Sequence, residues 1–334
     1  MNNDDMYGKA LEWMNKGREV ALATVVKTWG SSPRPVGSQL VMDQTGAFEG
    51  SVSGGCIEGA VITEGLEVLK SGEPRVLNFG VTSAQAWEVG LACGGEISIY
   101  LEKVTSKRLL EEMESMRRKN QGVCVITDLE NGEKKLLPID GGEKIYTLFP
   151  DFRKIIQEAV KTENNIILIS KGHQHFLHFF LPAFEIIIVG AVHIAQPLVQ
   201  IVRSIGYKVT IIDPRESFAN KDRFPDVPII IQWPDEALPG RLHSRVALVT
   251  LTHDPKLDDP ALIEGLKSDA FYIGALGSRS THADRLSRLS AAGFSKDSLE
   301  RICGPVGLRI GAIGQGEIAI SIIAQIIQKR RLAV

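Results

Sequence analysis

The sequence predicts an α/β protein in which a C-terminal Rossmann-like, doubly wound parallel sheet follows an N-terminal α+β domain. Three observations lead there. From residue 184 onward, apolar stretches (FEIIIVG, YKVTIID, VPIIIQW, ALVTLT, AFYIGALG) alternate with amphipathic segments at about 193–205, 260–267, 279–292 and 317–331. Strands apolar on both faces and separated by helices belong to a parallel sheet covered on both sides. Before residue 184, strands and helices mix without strict alternation, the pattern of an α+β domain. Finally, 334 residues at roughly 150 per domain suggest two domains. The expected units are residues 1–181 and 182–334, divided at Leu181-Pro182 because proline disfavours continuing a strand ladder.

Element by element, residues 21–28, 38–42 and 96–102 read as strands separated by glycine-rich turns. Apolar residues at 57, 61, 62, 66 and 69 predict a helix over 57–70, and a charged helix follows at about 107–119. GVCVITDLENGEKKLLPI reads as a hairpin whose turn is Asn131-Gly132. A helix at 150–161 and a strand–turn–strand from 165 to 180 complete the first domain. The last helix ends in QKRR, which complements its dipole.

Composition narrows the function. Lys plus Arg total 38 and Asp plus Glu 40, a net charge of −2 that excludes nucleic-acid binding through overall charge. Four cysteines (Cys56, Cys93, Cys124, Cys303) with no C-x-x-C pair give neither a disulfide framework nor a zinc ribbon. The N-terminus lacks a basic and apolar leader, and no apolar run is long enough to span a membrane, so the expected location is cytoplasmic. His173, His175 and His178 do not read as a metal site, because on a strand the third faces away from the other two.

Chemistry concentrates in glycine-rich loops. The first strand of the second domain leads into Gly190-Ala-Val192-His193-Ile-Ala195, and Asp213 follows Gly190 by 23 residues. In a dinucleotide fold the first glycine makes the turn, the second admits the pyrophosphate, and the acidic residue takes the ribose hydroxyls. Val192 stands at the second position and would crowd a diphosphate. Ligands of such sheets bind at the carboxyl ends of the strands. Those ends carry His193, Asp213 and Arg215, Thr252, His253 and Asp254, and Gly277, Ser278 and Arg279, the last three opening a helix that can hold an anion. In the first domain, Arg34 lies between two prolines and suits a phosphate or carboxylate, or else belongs to a stiff exposed turn. Ser53-Gly54-Gly55-Cys56-Ile57-Glu58 precedes a helix, where a glycine nest and the helix dipole favour negative charge and raise the thiolate fraction of Cys56. Cys93 lies beside Gly94 and Gly95. The bland alternative for each cysteine is a small buried hydrophobe.

The ordered set ATVVKTWGSSPRPVG, SVSGGCIEG, ACGGEISIYLE, GAVHIA, IIDPRESFAN, LTHD, YIGALGSR, GPVGLRIGA and EIAISIIAQII resembles the XdhC/CoxI family of xanthine dehydrogenase accessory factors over nearly the whole chain. The resemblance implies a maturation chaperone that binds the molybdenum cofactor (molybdopterin), supports its sulfuration by a cysteine desulfurase, and inserts it into a xanthine dehydrogenase-type molybdenum hydroxylase. The Gly-Gly-Cys-x-Glu motif of the family falls on Cys56 and Glu58, its Cys-Gly-Gly motif on Cys93, and its Ser-x-Pro-Arg loop on Arg34. These carry the implied chemistry as Cys56, Glu58 and Cys93, with Arg34 or Arg279 as hydrogen-bond donor to the anion. Val192 departs from the family's Gly-Ala-Gly-His turn and leaves His193 in place. The iron–sulfur cysteine pattern of a complete hydroxylase is absent from the sequence. An apolar C-terminal helix favours a homodimer. The alternative is an NAD(P)-dependent oxidoreductase using the crevice at Asp213 and His253, with Arg215 blurring any preference for NAD; a third reading is an interaction scaffold.

Overall fold

The computed structural model describes residues 6–30, 34–80, 95–139 and 143–332. The chain divides into two compact units, Met1–Pro182 and Ala183–Val334.

The first unit holds two antiparallel sheets. One consists of β1 (Val20–Trp29), β2 (Gln39–Asp43), β3 (Phe48–Gly50), β4 (Arg75–Phe79) and β5 (Glu96–Lys103) in the order β3-β2-β1-β5-β4. Its central strand β1 is buried on both faces, because alternate side chains leave a strand on opposite sides. Ala21, Ala23 and Val25 pack under helix α2 (Glu58–Ser71) with Val61 and Val68, and the small alanines admit the helix closely. Val20 and Leu22 face α1 (Tyr7–Asn15) and α3 (Lys107–Arg118) through Trp13, Leu110 and Met113. The other sheet is formed by β6 (Val123–Asp128), β7 (Lys134–Pro138), β8 (Ile166–Ser170) and β9 (His173–Phe180), in the order β7-β6-β9-β8. Helices α4 (Glu143–Leu148) and α5 (Arg153–Thr162), with Phe149 between them, cover it through Ile145, Ile156 and Ala159.

The second unit is a three-layer α/β/α sandwich on a six-stranded sheet in which every pair is parallel. The strands are β10 (Glu185–Val189), β11 (Lys208–Ile212), β12 (Ile229–Ile230), β13 (Val246–Thr250), β14 (Tyr272–Ala275) and β15 (Ile302–Cys303), ordered β12-β11-β10-β13-β14-β15. Numbered within the unit, that is 3-2-1-4-5-6, the Rossmann order, whose direction reverses between β10 and β13 and opens the ligand crevice there. Ile186 and Ile188 face α6 (Ala195–Ser204) and α11 (Gln315–Leu332); Ile187 and Val189 face α8 (Pro255–Lys267) and α9 (Arg279–Ala291). Two short helices, α7 (Pro234–Ala237) and α10 (Lys296–Leu299), complete the unit.

Two expectations change. The helix expected at 260–267 begins at Pro255, where Asp254 caps it by accepting from Lys256 N–H, and Pro260 lies inside it. The strand expected from VPIIIQW shrinks to Ile229–Ile230, because β12 is an edge that pairs with β11 only there.

Candidate functional site

In the first unit the loop before α2 is closed around the Glu58 carboxylate. Its Oε1 accepts from Ser51 Oγ (2.7 Å), Val52 N (3.2 Å) and Ser53 N (2.9 Å); its Oε2 accepts from Gly55 N (2.9 Å) and the Ser53 hydroxyl. Ser53 Oγ in turn accepts from Cys56 N (3.1 Å) and Ile57 N (3.0 Å), and Ser51 Oγ accepts from Gly54 N (2.9 Å). Burial alone would raise the Glu58 carboxyl, yet the hydrogen bonds from Ser53 and Ser51 outweigh it and bring it down to about 2. The glycine nest expected to receive an outside anion is therefore filled by the chain's own carboxylate. Glu58 is buried and holds the loop, while Cys56 is exposed on top of it. Cys124 is buried within β6, where desolvation pushes its thiol up, and Cys303 is half-buried. Cys93 and Gly94 lie outside the described residues.

Arg34 is half-buried at the start of a turn that the second sheet clamps. Asn165 Nδ2 donates to Val36 O (3.0 Å) while its Oδ1 accepts from Phe179 N (2.8 Å). This tie, 129 residues long in sequence, had no local signal. The three histidines of β9 separate: His173 Nδ1 meets Asp128 Oδ2 at 2.8 Å and stacks on His175, whereas His178 is buried among Tyr7, Phe176 and Phe180 and is pushed down to about 3 by desolvation.

In the second unit the candidate residues cluster at the carboxyl edge of the sheet. Gly190 ends β10 with φ +109°, and a Cβ there would stand 2.5 Å from Thr252 Cγ2, so only glycine allows the two loops to approach. Ala191 N donates to Asp213 Oδ2 (2.8 Å), and Ala191 O accepts from Arg223 Nη1 (2.7 Å), an arginine that sequence reasoning missed. Val192 packs into the apolar layer beneath the turn, and His193 is exposed.

Asp213 is fully buried. Its Oδ1 accepts from Arg215 N (3.0 Å) and Nε (2.9 Å), and its Oδ2 from Ala191 N and Arg215 Nη2 (2.8 Å). Burial would raise this carboxyl, but the Arg215 and Ala191 donors hold it below the usual carboxylate range. A carboxylate has about four acceptor positions, so Asp213 has none left for a ribose hydroxyl.

His253 is exposed and left-handed (φ +61°), a strained turn for a residue with a side chain. Thr252 Oγ1 donates to Asp258 Oδ1 (2.7 Å), and Arg285 Nη2 bridges Asp258 Oδ2 (3.2 Å) and Leu276 O (2.9 Å). Ser278 caps α9 by accepting from Thr281 N (3.1 Å), with Arg279 exposed beside it. Thus one run of contacts joins the Asp213, Gly190, Thr252 and Gly277 loops, and Asp258 and Arg285 are its unforeseen members.

Fold and site together define a two-unit protein with a Rossmann domain and a thiol-bearing glycine loop on the unit before it. Residues 186–326 match the family described as the XdhC Rossmann domain, and residues 13–80 match the XdhC and CoxI family. The chain belongs to the XdhC/CoxI family. It is 27% identical over 321 residues to the molybdenum cofactor insertion chaperone PaoD of Escherichia coli strain K12, covering 96% of this chain and 86% of that one. It is 26% identical to a protein of Bacillus subtilis strain 168 described as a probable xanthine dehydrogenase subunit, covering 94% of each. A crystal structure from Bacillus halodurans, described as a xanthine dehydrogenase, superposes with a TM-score of 0.77 at 26% identity, over 98% of this chain and 96% of that one.

Proposed function

We propose that the protein is an accessory factor that binds the molybdenum cofactor, supports its sulfuration and inserts it into a xanthine dehydrogenase-type molybdenum hydroxylase. The observation that carries this reading is the exposed Cys56 thiol on a loop locked by Glu58, inside the segment that matches the XdhC and CoxI family. Thiolate is a soft ligand suited to such a metal, and Arg34 supplies a cation for the pterin phosphate. Cys93 with Gly94 takes part on the same family grounds. Between the two kinds of name its relatives carry, four cysteines without an iron–sulfur pattern favour the chaperone over a hydroxylase.

The partners of this reading are the client hydroxylase and a cysteine desulfurase, in the cytoplasm. Ile320 and Ile327, exposed seven residues apart on α11, support pairing of two copies. Among the described residues no helix is long and apolar enough to cross a membrane. The nicotinamide alternative loses support because the Asp213 acceptors are occupied from within.

The test is the molybdenum and molybdopterin content of protein purified without oxygen from a cofactor-producing host. Near-stoichiometric pterin that falls in Cys56→Ala or Cys93→Ala, with unfolding unchanged, is the expected result. Retention unaffected by both substitutions, or a co-purifying nicotinamide nucleotide in place of pterin, overturns it.

A further inference from the structure

Arg285 sits in the second turn of α9, and its side chain runs back toward the helix start. The residue is 1% exposed, the largest side chain buried so completely in the described residues. Only Nη2 is engaged, by Leu276 O and Asp258; Nε and Nη1 are buried without a hydrogen-bond partner. The place a Cβ on Gly277 would occupy lies 3.7 Å from Nη1 and 3.3 Å from Thr281 Cβ and Cγ2, so the turn passes over the guanidinium with bare backbone and Thr281 at its side. One strand over, Thr250 pairs with Ala275 and also buries its hydroxyl without a partner. Buried donors left unpaired are costly, and for a guanidinium more so. Asp258 compensates incompletely: its Oδ1 already serves Thr252, and burial pushes its carboxyl up toward the neutral form.

We propose that the turn 276–280 at the head of α9 is an oxyanion subsite for a phosphoryl group, with the Arg285 guanidinium as its buried counter-charge. The 13-residue helix directs its first N–H groups and positive dipole end to the same turn. A tetrahedral phosphoryl group presents three oxygens, enough to meet the guanidinium, the helix start and the Ser278 hydroxyl together; a planar carboxylate presents two. Recognition of the phosphoryl group here does not depend on which molecule carries it, nor on the cofactor reading of the Cys56 loop.

The experiment is phosphorus-31 NMR of inorganic phosphate, and separately of adenosine monophosphate, titrated with the full chain at fixed ionic strength. Saturable broadening is expected for the wild type, weakened about tenfold or more in Arg285→Met. Gly277→Val retains Arg285 but places a side chain in the seat, so it gives the same loss and serves as the reading if Arg285→Met fails to fold. A stronger response to the nucleotide assigns the group to a phosphate ester; an equal response assigns it to the free anion. No saturable binding of either probe by the wild type, or binding unchanged in Gly277→Val, overturns the proposal.

Discussion

Removing the Glu58 carboxylate strands the N–H groups of Val52, Ser53 and Gly55 together with two serine hydroxyls. Glu58→Ala is expected to cost about 2–4 kcal/mol in urea unfolding, since buried donors left without an acceptor lose about 1–3 kcal/mol each and the loop relaxes in part. The pH dependence has a definite sign. Because the folded carboxyl lies near 2 against an ordinary 4.5, its contribution is fully present above 4.5 and is lost as pH falls toward 2. Glu58→Ala therefore flattens the acid limb of stability measured between those limits. Asp213 follows the same rule in a different setting. Asp213→Asn weakens the hold on Arg215 and the Ala191 turn, and about 1–3 kcal/mol of stability goes with it, because Arg215 is a third exposed and water compensates in part. Titration calorimetry of the wild type with NAD and NADH, which carry no terminal phosphoryl group, is expected to show no saturable heat.

At the scale of elements, the Asp254 cap of α8 makes a clean test: Asp254→Ala should lower stability by about 1 kcal/mol, read as a small fall in Tm. That helix also shows where local reading stops. The pattern puts Pro260 at the helix start, but Pro255 fills that position, and the inward Asp258 is held by Thr252 and Arg285 from other elements. The strands β10, β11, β13 and β14 are legible because burial on both faces leaves an uninterrupted apolar run. The strands β3 and β4 are sheet edges with mostly exposed or half-buried residues, and β15 spans only two residues, so none leaves such a run. The same limit divides the site. The Cys56 loop and the Gly190 turn are local features and stand out as sequence. The partnerships of Asn165 with Val36 and of Arg223 with Ala191 span 129 and 32 residues, and that of Arg285 with Asp258 spans 27, distances at which only the folded chain brings groups together.

Across the whole molecule, each hydrophobic core is drawn from one unit: the clusters around Ile186 and Ile187 contain residues from the second, and those around Ala21, Tyr7, Ile126 and Tyr100 residues from the first. The segment 183–334 expressed alone is therefore expected to unfold in a single cooperative urea transition; a gradual, non-cooperative loss of its circular dichroism would count against separate domains. The parallel sheet also fixes a timetable for biosynthesis. The β8–β9 hairpin closes Ser170 onto His173 across a two-residue turn, whereas β10 must wait for β13 to pair Glu185 with Val246, a slower, non-local step. One face of that sheet is covered by α6 and by Ala319, Ile322, Ile323 and Ile326 of α11, a helix made after every strand of the sheet. On the ribosome the unit bearing Cys56 is complete early, while the parallel sheet keeps part of an apolar face uncovered until α11 emerges, the interval in which a nascent chain most needs protection from aggregation.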